Sequence, residues 1–171
     1  MPISKYLKTQ LENIYQSFLK DERILKMKEI PMHRGSSCYY HSFRVAKIAV
    51  HRAIKLGGYR LKSLLIASIL HDYYLYDWRT NKELAKHHGV DHPQIAIENA
   101  KRDFNISKSV EDIMLSHMWP LTIKNAPKTK EAWLLNHVDN VVATREFLVS
   151  KNHKVKKREN YDKFIEKLFD D

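Results

Sequence analysis

Six residues of this chain are of the types that hold transition metals, and they come in the order His41, His71, Asp72, His92, His117 and Asp139. Imidazole suits first-row transition ions, and a carboxylate placed among imidazoles can hold one divalent ion with one oxygen and bridge a second with the other. Any one of these histidines, taken alone, reads as an ordinary surface or core residue. The ordered set reads as a metal site, with the His71-Asp72 doublet at its centre.

The doublet closes an apolar run, Leu64-Leu65-Ile66-Ala67-Ser68-Ile69-Leu70. That run is apolar on all sides, so a helix over about 61–73 is expected to be the buried central one. A buried strand is the competing reading, made poorer by the absence of any other segment with period two. On a helix, His71 and Asp72 stand about 100° apart, and both reach one point just past its end. A preceding helix over about 39–56 carries His41, Val45, Ile48, Ala49 and Arg52 on one side and stops at Gly57-Gly58. His41 begins that helix and His71 ends the next, so antiparallel packing brings the two imidazoles to the same end of a bundle.

Further helices are expected elsewhere. Leu7, Leu11, Ile14, Tyr15, Phe18 and Leu19 form a stripe on a first helix, within an N-terminal segment of about 4–28 that Pro31 and Gly35 break from the next. The polar stretch 77–91 reads as a short helix between loops. His92-Pro93 reads as a new helix start, since proline at the first helical position forfeits no hydrogen bond. Another helix opens at Ser107 or Ser109, with Asp112 completing a variant of the capping box, and runs to His117 before Pro120. A long helix over about 130–149 carries Trp133, Leu134, Val138, Val141, Val142 and Phe147 as core, with Asp139 mid-way. Burying an unpaired carboxylate there costs roughly several kcal/mol, which a metal would offset. A terminal amphipathic helix is expected over 161–169. The fold class is therefore all-α: a single-domain bundle of about six to eight helices over 1–171, with a core of about 38–147 and a basic C-terminal extension, 150–171.

The string His41, His71-Asp72, Asp139 resembles the HD superfamily of metal-dependent phosphohydrolases, in the contexts Cys38-Tyr39-Tyr40-His41-Ser42, Leu70-His71-Asp72 and Val138-Asp139-Asn140. His92, before Pro93, and His117, in Ser116-His117-Met118, look like the two extra histidines of dinuclear members, which would make Asp72 the bridging ligand. Together with Leu75-Tyr76-Asp77-Trp78 and Trp119-Pro120-Leu121-Thr122, the pattern is similar to a sparsely characterised bacterial branch. The resemblance implies hydrolysis of a phosphate ester or anhydride of a small, nucleotide-like substrate by metal-activated water. It implies a catalytic role for Asp72 and His71, and one or two divalent ions. With so many imidazoles, Fe, Mn, Zn, Ni or Co is expected over Mg, which prefers oxygen ligands. Two departures narrow the substrate. Tyr73-Tyr74 replaces the Ile-Gly that often follows the doublet, and the Gly-Tyr-Pro element of the cyclic-di-GMP enzymes is missing after His117, so that dinucleotide is a poor candidate.

Composition sets the remaining bounds. A formal charge of +10 favours an anionic partner, although Lys151, Lys154, Lys156, Lys157 and Arg158 concentrate part of it in one run that reads as a solvated loop. Four glycines, at 35, 57, 58 and 89, leave no room for a dinucleotide fingerprint or a P-loop. The lone Cys38 excludes an internal disulfide and reads as a small buried hydrophobe. The start, Met1-Pro2-Ile3-Ser4-Lys5, lacks a signal-peptide pattern, and no apolar run approaches the roughly 20 residues that span a bilayer, so a cytoplasmic protein without membrane contact is expected. Arg44, Lys47 and His88 are candidate substrate contacts, and Arg44, one helical turn from His41, is a candidate catalytic residue as well. His51 and His137 read as structural, and His33 and His153 as surface residues. Tyr73, Tyr74, Tyr76 and Trp78 read as core or pocket wall more than as a base-stacking platform. The runner-up function is a non-catalytic regulatory or nucleic-acid-binding HD domain that retains its metal. Monomer and homo-oligomer are both open.

Overall fold

The computed structural model describes residues 3–32, 36–80, 82–149 and 164–169. Its helices are α1 (Lys5–Lys20), α2 (Glu22–Leu25), α3 (Cys38–Leu56), α4 (Leu61–Leu70), α5 (Lys82–Phe104), α6 (Lys108–Leu115) and α7 (Lys130–Val149), joined by 3-10 turns and, among the described residues, by no strand. The fold is all-α. None of these helices is long and apolar enough to cross a membrane. The expectations for His33, His153 and the Lys151–Arg158 run lie outside the described residues.

α4 is the axis of the bundle. Leu61, Leu64, Leu65, Ala67, Ile69 and Leu70 are all buried, and α4 packs against α1, α3, α5, α6 and α7. A helix apolar on every side can be satisfied only by neighbours on every side, which is why the 64–70 run is a helix core and not a strand. Each fully buried leucine or isoleucine contributes about 1.5–3 kcal/mol. α3 ends where Gly57 takes φ +75 and Gly58 φ +73, left-handed geometry that glycine adopts without strain, and the chain turns back into α4. α4 and α7 are bracketed at their starts: Glu131 accepts hydrogen bonds from the Arg60 backbone N–H (2.8 Å) and guanidinium (3.0 Å). At about 1.5 Å per residue, both helices then run about 12–16 Å to His71 and Asp139.

Several boundaries differ from expectation for identifiable reasons. α4 stops at Leu70, and His71-Asp72-Tyr73-Tyr74 form a turn beyond it. Pro93 does not start a helix; it lies inside the single 23-residue α5, which merges the two segments expected on either side. α6 is capped by Ser107 without a side-chain bond, so the Ser109–Asp112 capping box does not form. Trp133 and Phe147 are 47% and 48% exposed, and so are not core. Of the expected terminal helix, 164–169 shows only a short helical stretch. It is nonetheless anchored: Ile165 and Leu168 are buried, and its carbonyls accept from Tyr15 Oη (3.1 Å), Gln16 Nε2 (2.8 Å) and Lys47 Nζ (2.9 Å).

Candidate metal centre

Two turns and three helices deliver the six residues to one place. His41 comes from the first turn of α3, the His71-Asp72 doublet from the turn after α4, His92 from mid-α5, His117 from the turn after α6 and Asp139 from mid-α7. They form two sets: His41, His71 and Asp139, and Asp72, His92 and His117, the ligand atoms of each set lying within 4.8 Å of one another. Asp72 joins the sets. Its Oδ2 lies 3.3 Å from His71 Nε2 and 3.9 Å from His41 Nε2, while its Oδ1 lies 3.3 Å from His92 Nε2 and 3.7 Å from His117 Nε2.

The imidazoles are held from behind. Nδ1–H of His71 donates to Ser68 O (2.9 Å), that of His92 to His88 O (2.7 Å) and that of His117 to Met114 O (2.7 Å). A carbonyl only accepts, so each of these rings carries a proton on Nδ1 and turns Nε2 inward toward the cluster; burial opposes charge on His71, but Asp72 and Asp139 beside its Nε2 raise its pKa well above the ordinary histidine value. His41 is held the same way by a carboxylate, its Nδ1 3.1 Å from Glu146 Oε2, and its Nε2 meets Asp139 Oδ1 at 2.8 Å.

This donor set fits a divalent cation. His71 Nε2 is buried without a hydrogen-bond partner, although carboxylate oxygens of Asp72 and Asp139 lie 3.3 and 3.6 Å away. His92 Nε2 and His117 Nε2 face each other at 2.8 Å, two lone pairs that a cation would reconcile. The electrostatics agree. Burial disfavours charge on His41, but the hydrogen bonds it donates to Asp139 and Glu146 outweigh it and raise its pKa to about 10. Burial, reinforced by His92 and His71, pushes His117 down to about 3. Burial works against ionised Asp72 and Asp139 too, yet the surrounding imidazoles hold both carboxyls below the ordinary aspartate range.

A family model described as HD domain matches residues 38–144. The chain belongs to the HD domain family. The match begins with the first residue of α3 and takes in all six residues of the cluster. No curated protein and no solved structure matches the chain. HD domains are in general hydrolases, and the buried His and Asp groups here could hold a metal, in keeping with that membership.

The other candidates separate. Lys47 is buried, with Nζ donating to Phe164 O (2.9 Å) and lying over the Phe164 ring, so the C-terminal segment engages its ammonium. Arg44 is half-buried, its guanidinium 5.4 Å from the centre of that same ring. His88 stands directly behind His92, their rings stacked at 4.7 Å, with Trp78 on its other side at 5.1 Å and the Tyr76 hydroxyl 2.9 Å from its Nδ1. Burial, with His92 beside it, lowers the His88 pKa to about 4, so that ring is neutral at physiological pH. His137 is exposed, while His51 stacks on Phe169 at 6.2 Å.

Three residues of this HD domain lie outside the expected pattern. Glu146 backs His41. Asn99 of α5 donates to the carbonyls of Tyr73 (3.1 Å) and Tyr74 (3.2 Å), holding the turn that carries the doublet. Asn136 of α7 donates to the carbonyls of His117 and Trp119, both at 2.7 Å, holding the turn that carries His117. Asn136 and Glu146 sit three before and seven after Asp139, spacings that keep them near one face of α7, and only that period hinted at them.

Proposed function

We propose that this HD domain is a metal-dependent phosphohydrolase acting on a small phosphorylated, nucleotide-like substrate. His41, His71, Asp72, His92, His117 and Asp139 are its metal ligands, and Asp72 is shared between two ions. The observation that carries this reading is the Asp72 carboxylate, whose two oxygens face two different sets of imidazoles. Four imidazoles favour Fe, Mn, Zn, Ni or Co over Mg. A bound transition ion supplies a Lewis acid that acidifies water near neutral pH and neutralises charge on phosphoryl oxygens.

The chain's own residues do the rest. The carbonyls of Ser68, His88 and Met114 fix three rings in the ligating tautomer, and Asn99 and Asn136 fix the turns that carry the doublet and His117. Asp139 is the most open of the cluster at 13% side-chain exposure, against 0–5% for the others, so substrate approaches beside it. Half-buried Tyr76, Trp78 and His88 form a wall behind His92. The net charge of +10 raises the local concentration of anionic substrates.

The test is elemental analysis of the purified chain, followed by assays against nucleotides and generic phosphate esters with added Mn²⁺. The wild type is expected to carry more than one transition ion per chain and to release phosphate or nucleotide, and Asp72→Ala to do neither. A wild-type protein without metal, or turnover that survives Asp72→Ala, would falsify the proposal.

A further inference from the structure

The HD match ends at residue 144, yet α7 carries another buried carboxylate just beyond it. The Glu146 side chain is 1% exposed, its Oε2 lies 3.1 Å from His41 Nδ1, and its Oε1 is buried without a hydrogen-bond partner. Burying a carboxylate with one oxygen unsatisfied is unfavourable, so an ionised side chain at such a position needs a compensating cationic environment. His71, His92 and His117 each give Nδ1–H to a carbonyl three or four residues earlier in the chain. Within the cluster, His41 has a carboxylate in that place, supplied from 105 residues away. A carboxylate behind an imidazole orients the ring and makes its other nitrogen a stronger donor to a cation than a carbonyl does.

We propose that Glu146 is a positioning residue for His41, aiming its Nε2 into the cluster and making the His41, His71 and Asp139 set the tighter of the two divalent-cation sites. The inference rests on the two-ion reading above. Glu146 touches neither substrate nor ion; it acts through the ring.

The experiment loads the full chain with Zn²⁺ and measures both affinities by chelator competition in wild type, Glu146→Gln and Glu146→Asp. Gln keeps the shape and one acceptor oxygen but removes the charge; Asp keeps the charge and withdraws it by one methylene. Losing such a partner typically weakens metal binding about 10- to 100-fold, and that loss is expected at the tighter ion alone in both variants. In proton NMR of the zinc-loaded wild type, the His41 Nδ1–H is expected far downfield, and it should move upfield in Glu146→Gln. Should Glu146→Gln not fold, Glu146→Asp carries the same comparison. Two ions with unchanged affinities in the variants would overturn the inference and leave the metal site standing. So would equal weakening of both ions with a lower melting temperature of the metal-free protein, the mark of a merely structural glutamate. A wild type that takes up no zinc at all would remove the two-ion reading itself.

Discussion

The two halves of the cluster are built from similar side chains by different means. The His41, His71 and Asp139 half is surrounded by carboxylates: Asp139 in front, Glu146 behind His41 and Asp72 Oδ2 at its edge. The Asp72, His92 and His117 half has one carboxylate oxygen, backbone carbonyls behind its rings and an aromatic wall of His88, Trp78 and Tyr74 beside it. On the two-ion reading, one half would neutralise a cation and the other would chiefly orient ligands toward it. The difference predicts two ions of unequal affinity, and the metal-site substitutions below probe it.

The largest effect belongs to the residue both halves share. Asp72→Ala is expected to empty both sites and take metal content from about two ions to near zero by elemental analysis. Next comes a pair that should split the halves. Asp139→Ala removes the tighter ion and His92→Ala the weaker, each leaving about one ion per chain, so identical losses in the two variants would break the comparison. A smaller effect follows from the asparagines. Asn136→Ala frees the turn carrying His117 and is expected to weaken the second ion about tenfold by zinc titration, with the first unchanged. Outside the metal comparison altogether, and read in fold stability, is the bracket where α4 and α7 start. Burial opposes ionised Glu131, but hydrogen bonds from Arg60 override it and lower its pKa from 4.5 to about 2. A depressed carboxyl stabilises the fold above its unfolded pKa, and that contribution fades as pH falls from about 4.5 toward 2. Glu131→Gln is therefore expected to destabilise by on the order of 2 kcal/mol at pH 7. Denaturant melts of the two proteins should converge near pH 2.

How much of this was legible in the residues follows from how local each signal was. The cluster could be read because histidine and aspartate at helix starts and ends are chemically conspicuous, and α4 because a run apolar on all sides has one comfortable place in a bundle. Pro93 misled because proline favours a helix start, yet α5 runs through it and forgoes the one hydrogen bond that its missing N–H would have made. Trp133 and Phe147 misled because α7 has apolar residues on most of its faces, so its periodicity could not rank them. Lys47 and Glu146 depended on partners 117 and 105 residues away, contacts that no local pattern encodes. Asn99 serves backbone carbonyls, which leave no mark in a sequence, and Asn136 does the same with only its helical period from Asp139 as a hint.

α7 also sets a rule about length. Within it, Glu131 reaches Arg60, Asn136 the turn after α6, Asp139 the imidazoles of His41 and His71, and Glu146 the back of His41. Each residue inserted into a helix turns everything after it by about 100° and advances it by about 1.5 Å. One residue added between Glu131 and Asn136 would thus swing three of these groups off their partners at once. The turns beyond α4 and α6 gain no slack from being irregular, since an asparagine amide pins each of them. Among homologues, additions and deletions should therefore gather before α3 and after α7, and α7 should keep its register even where its surface residues change.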